Sequence, residues 1–116
     1  MASRENAYAP YSAFRVGVAL MSSDGHVYNG CNVENASYGL SLCAERSAIS
    51  AAVCAGAKSF VAMAVISNSD DYCIPCGACR QVLMEFSPEC TVMCCKKDGS
   101  HISFTVRDLL PHSFKL

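Results

Sequence analysis

Apolar residues in this chain come in short blocks whose period changes along the sequence. Residues 15–21 (RVGVALM) read as a strand. Asp24 and Gly25 give a tight-turn signal, and residues 26–31 read as the return strand of a hairpin. A polar loop, NVENASYGLS, occupies residues 32–41. The pattern then becomes helical over residues 42–55, where alanines are frequent, Leu42, Ile49, Ala52 and Val53 are apolar, and Gly56 is placed to close the helix. This segment has so little polar surface that the helix is expected to be buried on more than one side. Residues 60–66 (FVAMAVI) form a near-continuous apolar run of strand length, which suits a central strand covered on both faces. A polar loop at 67–72 leads to Pro75 and a second helix over 76–86, stopped by Ser87 and Pro88. Strands follow at 91–95 and 102–106, with a turn at Asp98 and Gly99 between them. Residues 107–110 make a short helical turn before Pro111.

The order strand, strand, helix, strand, helix, strand, strand predicts an α/β class fold, with one mixed sheet of five strands and helices packed on it. The 116 residues suit a single domain over 1–116. A composition of 52% hydrophobic and 16% charged residues argues against disorder. No uninterrupted apolar run approaches the ~20 residues that span a bilayer. Residues 1–10 carry no apolar core of a signal peptide. The expectation is a soluble, cytoplasmic protein with no membrane partner. Formal net charge is −1 and the basic residues are scattered, Lys96 and Lys97 being the adjacent pair. Nucleic acid is therefore an unfavoured partner, since gripping a phosphate backbone calls for a basic face. A small neutral substrate fits better.

Nine cysteines is a high and odd number. In a reducing compartment, clustered cysteines read as metal ligands or redox groups before disulfides. Spacing selects among them. CAER at 43–46 and PCGACR at 75–80 each sit at the start of an expected helix. Cys76 and Cys79 are three apart, which places both sulfurs on one face of a first helical turn. A helix N-terminus favours the thiolate, which is the metal-binding form. Cys43 supplies a third sulfur. Three protein ligands with one open position is the catalytic zinc arrangement, and four is the structural one. Glu45 can reach a water in the open position and act on it as a general acid–base. Three thiolates on Zn²⁺ leave a formal charge of −1. Two helix N-termini would offset part of it, and Arg46 more by donating hydrogen bonds to the ligand sulfurs.

Other readings of the same residues are weaker. A redox CxxC pair at Cys76 and Cys79 leaves Cys43, Ala44 and Glu45 without a role. A structural zinc with Cys73 as fourth sulfur does not require Glu45. Cys31, Cys54, Cys73, Cys90, Cys94 and Cys95 read as small buried apolar residues. His26, His101 and His112 fall in turns or the tail, none placed like a ligand. Taken alone, Asn32 and Glu34 read as an ordinary polar loop. Phe14 and Phe114 alone read as core or surface residues.

The metal segments, C-A-E followed by P-C-G-A-C, match the Cys₃ variant of the zinc-deaminase signature H-x-E…P-C-x-x-C. The chain resembles the small nucleoside cytidine deaminases, and over more than the metal motif. PYSAF at 10–14, VG at 16–17, NVENASYG at 32–39, PCGACRQVLMEF at 75–86 and LLPHSF at 109–114 all resemble the family pattern, so the likeness runs from about residue 7 to residue 114. The resemblance implies a three-layer α/β/α sandwich. It implies hydrolytic deamination of cytidine and 2′-deoxycytidine to the uridines with release of ammonia, in pyrimidine salvage. Cys43, Cys76 and Cys79 would hold Zn²⁺, and Glu45 would carry the proton. Asn32 and Glu34 would bind the ribose. Phe14 would pack on the pyrimidine, and the Ala44 backbone would read the base edge. Phe114 would reach a neighbouring subunit's site within a homotetramer of shared active sites. One departure bears on tetramer packing and not on the zinc site. Relatives carry a longer N-terminal helix, whereas residues 1–9 leave it short or missing. Three other activities share some of these residues. The pair Asn32 and Glu34 argues against a cytosine-containing antibiotic such as blasticidin S as substrate. The absent basic face argues against polynucleotide editing. Glu45 argues against a non-catalytic zinc module.

Overall fold

The computed structural model describes residues 2–114. A 3-10 turn over Ala2–Asn6 precedes the hairpin of β1 (Val16–Ser22) and β2 (Val27–Cys31). Then come α1 (Ala44–Cys54), β3 (Phe60–Ser67), α2 (Gly77–Phe86), β4 (Thr91–Cys95), β5 (His101–Thr105) and α3 (Val106–Leu109). The five strands form one mixed sheet in the order β2-β1-β3-β4-β5. β3 and β4 run parallel, and the other neighbours are antiparallel.

This order decides where the helices lie. From β2 through α1 to β3, and from β3 through α2 to β4, the chain steps the same way across the sheet. Right-handed crossovers in one direction put both helices on one face. Alternation along the strands supplies that face with Val18 and Leu20 from β1, Met63 and Val65 from β3, and Val92 from β4, all fully buried. Ala48, Ile49 and Ala52 of α1 and Leu83 of α2 close over them in one apolar cluster. The other face carries the 3-10 turn, whose Arg4 backbone nitrogen stands 2.7 Å from where a side chain on Gly17 would begin. Among the described residues the sandwich is therefore unequal, with α1, α2 and α3 on one side and the Ala2–Asn6 turn on the other. Among the described residues no helix is long and apolar enough to cross a membrane.

Most element ends shift by a residue or two from the pattern reading, and at two of them the local reason is visible. α1 begins at Ala44 and not at 42, because the Leu42 backbone exchanges hydrogen bonds of 2.8 and 2.9 Å with Val33. That bridge leaves Cys43 extended, as the N-cap. β5 stops at Thr105, because the Thr105 hydroxyl accepts from the Asp108 amide and the Asp108 carboxylate accepts from the Thr105 amide. Val106, expected in the strand, opens the helix instead and is fully buried. The far end of α1 follows expectation. Gly56 has φ +96, and the amides of Gly56 and Ala57 bond the carbonyls of Val53 and Ala52, a Schellman closure.

α1 rests directly on β2 at Gly30. A Cβ there would lie 2.4 Å from the Ala44 carbonyl oxygen and 2.6 Å from the Ala48 nitrogen. Gly30→Ala is expected to push the start of α1 off the sheet and cost about 1–3 kcal/mol. The midpoint of urea unfolding checks it, and an unchanged midpoint would show that α1 shifts freely.

Candidate active site

The starts of α1 and α2 meet at the carboxyl ends of β2 and β3. Cys43 is the N-cap of α1 and Cys76 the N-cap of α2, both in extended conformation. Neither makes a side-chain cap bond, and each carries its sulfur at the positive end of a helix. Cys79 lies one turn into α2 and is buried. Cys76 Sγ is 3.7 Å from Cys43 Sγ and 3.3 Å from Cys79 Sγ, and all three sulfurs lie within 4.8 Å of one another.

The protonation of this trio is strained. The hydrogen bond from Cys79 holds the Cys43 thiol down to about 5, with Arg46 assisting against the cost of burial. The same bond pushes the Cys79 thiol up, and burial and the Glu45 charge add to the rise. One sulfur keeps its proton to support its neighbour's charge. A cation among them lets all three ionise. The spacing fits zinc, since thiolates on a tetrahedral ion at ~2.3 Å stand about 3.8 Å apart. Cys73 is buried close by, and burial pushes its thiol up to about 12. Its sulfur lies outside the cluster, so among the described residues the set has three members and not four.

Glu45 is the second residue of α1, in its first turn, and is buried at 5% exposure. Burial raises its carboxyl above the usual range, and the Cys43 charge adds to the rise. Arg46 Nη2 donates to Cys43 Sγ at 3.4 Å, while its buried Nε has no partner among the described residues. The guanidinium is thus aimed at the sulfurs and not at a carboxylate.

A cavity of about 220 Å³ opens over this centre. Cys43, Ala44, Glu45 and Cys76 form one wall, and Phe14, Asn32 and Glu34 the other. A second cavity of about 310 Å³ adjoins it, sharing Glu34 and Ser41 and adding Tyr11 and Tyr38. The Asn32 carboxamide spans the backbone of the Phe14 segment, donating to the Phe14 carbonyl at 2.8 Å and accepting from the Val16 amide at 2.9 Å. Glu34 accepts from the amides of Tyr11 and Ser12 at 3.0 and 3.1 Å and from the Ser12 hydroxyl. That hydroxyl bond is the main reason its carboxyl is held below the usual range. Each of these side chains keeps spare capacity, one N–H on Asn32 and one lone-pair site on Glu34.

Of the residues singled out from the sequence, Phe14, Asn32, Glu34, Cys43, Ala44, Glu45 and Cys76 line one cavity, with Cys79 and Arg46 behind it. Phe114 does not join them within one chain. It is 71% exposed, and its carbonyl accepts from Gln81 Nε2 at 2.9 Å. Sequence reasoning missed Cys73 as a lining residue and Ser12 and Asn68 as supports of the Phe14 segment. A serine in a loop and an asparagine after a strand carry no pattern that marks them.

A metal site that leaves one side open to a cavity beside a buried carboxyl belongs to the hydrolytic metalloenzymes of α/β architecture, not to structural zinc modules. The family model described as cytidine and deoxycytidylate deaminase zinc-binding region matches residues 1–95. Cytidine deaminase from Sporosarcina psychrophila is 46% identical over 113 residues, 97% of this chain and 83% of that protein. The crystal structure of cytidine deaminase from Burkholderia pseudomallei aligns with a TM-score of 0.93 at 49% identity, covering 97% of this chain and 91% of that one. That from Mycobacterium leprae aligns with a TM-score of 0.83 at 47% identity, covering 96% and 90%. The chain belongs to the cytidine and deoxycytidylate deaminase family of zinc-dependent hydrolases.

Cys76→Ser is expected to weaken zinc binding by more than the 10–100-fold typical of losing an outer-shell partner. Competition against a chromogenic chelator measures it. Parent-like affinity would remove Cys76 from the ligand set.

Proposed function

We propose that this chain deaminates cytidine and 2′-deoxycytidine hydrolytically, in pyrimidine salvage. The observation that carries the reading is the buried Glu45 carboxyl in the wall of the same cavity as the three-sulfur cluster. Cys43, Cys76 and Cys79 would hold zinc, which when bound would supply Lewis-acid activation of the attacking water. Glu45 takes a proton from the attacking water and delivers it to N3 of cytosine. Oxygen bonds to C4, and Glu45 then takes the remaining proton from that oxygen and passes it to the departing amine. The C4–N bond breaks, ammonia leaves, and the uridine keeps the new oxygen. Water and cytidine together account for every atom of uridine and ammonia.

The other residues bind and orient. Phe14 packs on the pyrimidine and the Ala44 backbone reads its edge. Asn32 and Glu34 use their spare bonds on the ribose hydroxyls. Arg46 offsets the charge of the thiolates through Cys43. The active unit is a homotetramer over residues 1–116 in which Phe114 closes a neighbour's site, and the setting is cytoplasmic. Exposed Tyr11 and Tyr38, which line the adjoining cavity, support such a contact, because apolar groups clustered on a surface are commonly covered.

The ultraviolet change from cytidine to uridine tests the activity in the zinc-loaded protein. Glu45→Ala should keep its zinc and lose at least about 10²–10⁴-fold in kcat. A folded, zinc-bound parent that turns over neither nucleoside would exclude the reading. Arg46→Ala should keep the fold while losing activity or zinc retention, and unchanged values for both would remove its role. Sedimentation of the parent should show a tetramer, against which a monomer would count.

A further inference from the structure

The cavity wall that carries Phe14 has little regular structure between the 3-10 turn and β1. Asn32 holds one side of it, at the Phe14 carbonyl and the Val16 amide. Asn68 holds the other side in the same manner, one residue earlier. Its carboxamide donates to the Ala13 carbonyl at 2.9 Å and accepts from the Arg15 amide at 3.2 Å. Its own backbone amide donates to the Arg15 carbonyl at 3.1 Å. Phe14 is bracketed by these bonds, and its amide donates to Ser12 Oγ at 3.0 Å.

Between the anchors the chain turns sharply. Ala13 has φ +58, the left-handed region that costs a residue with a Cβ. Core packing does not hold it there, since Ala13, Phe14 and Arg15 are all exposed. Within the segment the Ala13 amide donates to the Ala9 carbonyl at 3.0 Å, and on the far side of Ala13 the restraint comes from outside the segment. Asn68 stands one step beyond the Val16 and Ser67 pair that ends the β1–β3 ladder, and its side chain extends that ladder to residues 53 and 55 positions away. A carboxamide suits the place, because one partner is a donor and the other an acceptor. A carboxylate only accepts. Asn68 itself stands outside the cavity lining.

We propose that Asn68 is a positioning residue for substrate, holding Ala13 in its left-handed turn and so fixing Phe14 against the base of the bound nucleoside. This rests on the reading of Phe14 as the residue that meets the pyrimidine. The zinc ligands and Glu45 are untouched by Asn68, so its loss weakens ground state and transition state alike. That raises KM and spares kcat.

The test uses the zinc-loaded full chain, with cytidine kinetics and amide hydrogen exchange of the substrate-free protein. Asn68→Ala should raise KM about tenfold with kcat within about twofold, and speed exchange of the Arg15 amide. Asn68→Asp, which keeps the acceptor for Arg15 and loses the donor for Ala13, should raise KM while Arg15 exchange stays slow. In a Phe14→Ala background, Asn68→Ala should add little to KM. Unchanged Arg15 exchange in Asn68→Ala overturns the clamp, whether or not the parent is active. A full tenfold rise that persists without Phe14 overturns the route through Phe14, and joint loss of kcat and zinc marks a structural role instead. A parent without turnover overturns the nucleoside reading and the kinetic role with it. Fast Arg15 exchange in Asn68→Ala would then tell that failure from failure of the clamp.

Discussion

Three sulfurs within 4.8 Å of one another repel once they ionise, and the rest of the site is arranged around that repulsion. Two helix N-termini, capped by Cys43 and Cys76, bring their partial positive charge to it. Arg46 brings a guanidinium to Cys43 Sγ. Both depend on the two helices lying side by side, which follows from two crossovers of one hand stepping in one direction. The approach is then set by Gly30, where the absence of a side chain lets the Ala44 and Ala48 backbone sit against β2. A hydrophobic layer of Val18, Leu20, Met63, Val65 and Val92 makes the platform rigid enough to hold sulfurs at fixed spacing.

The opposite wall is built by different means. It has no core of its own and relies on polar side chains that reach across from other elements. Asn32 and Glu34 come from the segment after β2, and Asn68 from the end of β3. Each spends hydrogen bonds on the backbone of the Phe14 segment before any substrate arrives. A site with one wall set by helix packing and one by side-chain clamps can hold its metal rigidly while its binding wall retains some give.

Much of this was legible in the order of residues. The hairpin, both crossover helices and the last strands follow from hydrophobic period and turn residues, within a residue or two at their ends. The departures are cap effects. Cys43 stays extended because Leu42 pairs with Val33, and β5 ends because Thr105 and Asp108 cap each other. The first depends on a contact formed only in the folded chain. The second was present as T-x-x-D and lay hidden within an apolar strand pattern.

By itself the sequence determined the alternation of strands and helices, the two cysteine segments at helix starts and the glutamate beside them. These are local matters, decided by period, spacing and the chemistry of a helix N-terminus. Only the tertiary structure decided that Cys43 comes within 3.7 Å of Cys76, that Cys73 stays outside the cluster, and that Asn68 clamps the turn before Phe14. The first and last of these join residues 33 and 55 positions apart. No spacing rule reaches that far, because such contacts are set by the handedness of crossovers and the register of strands, which exist only once the sheet is assembled.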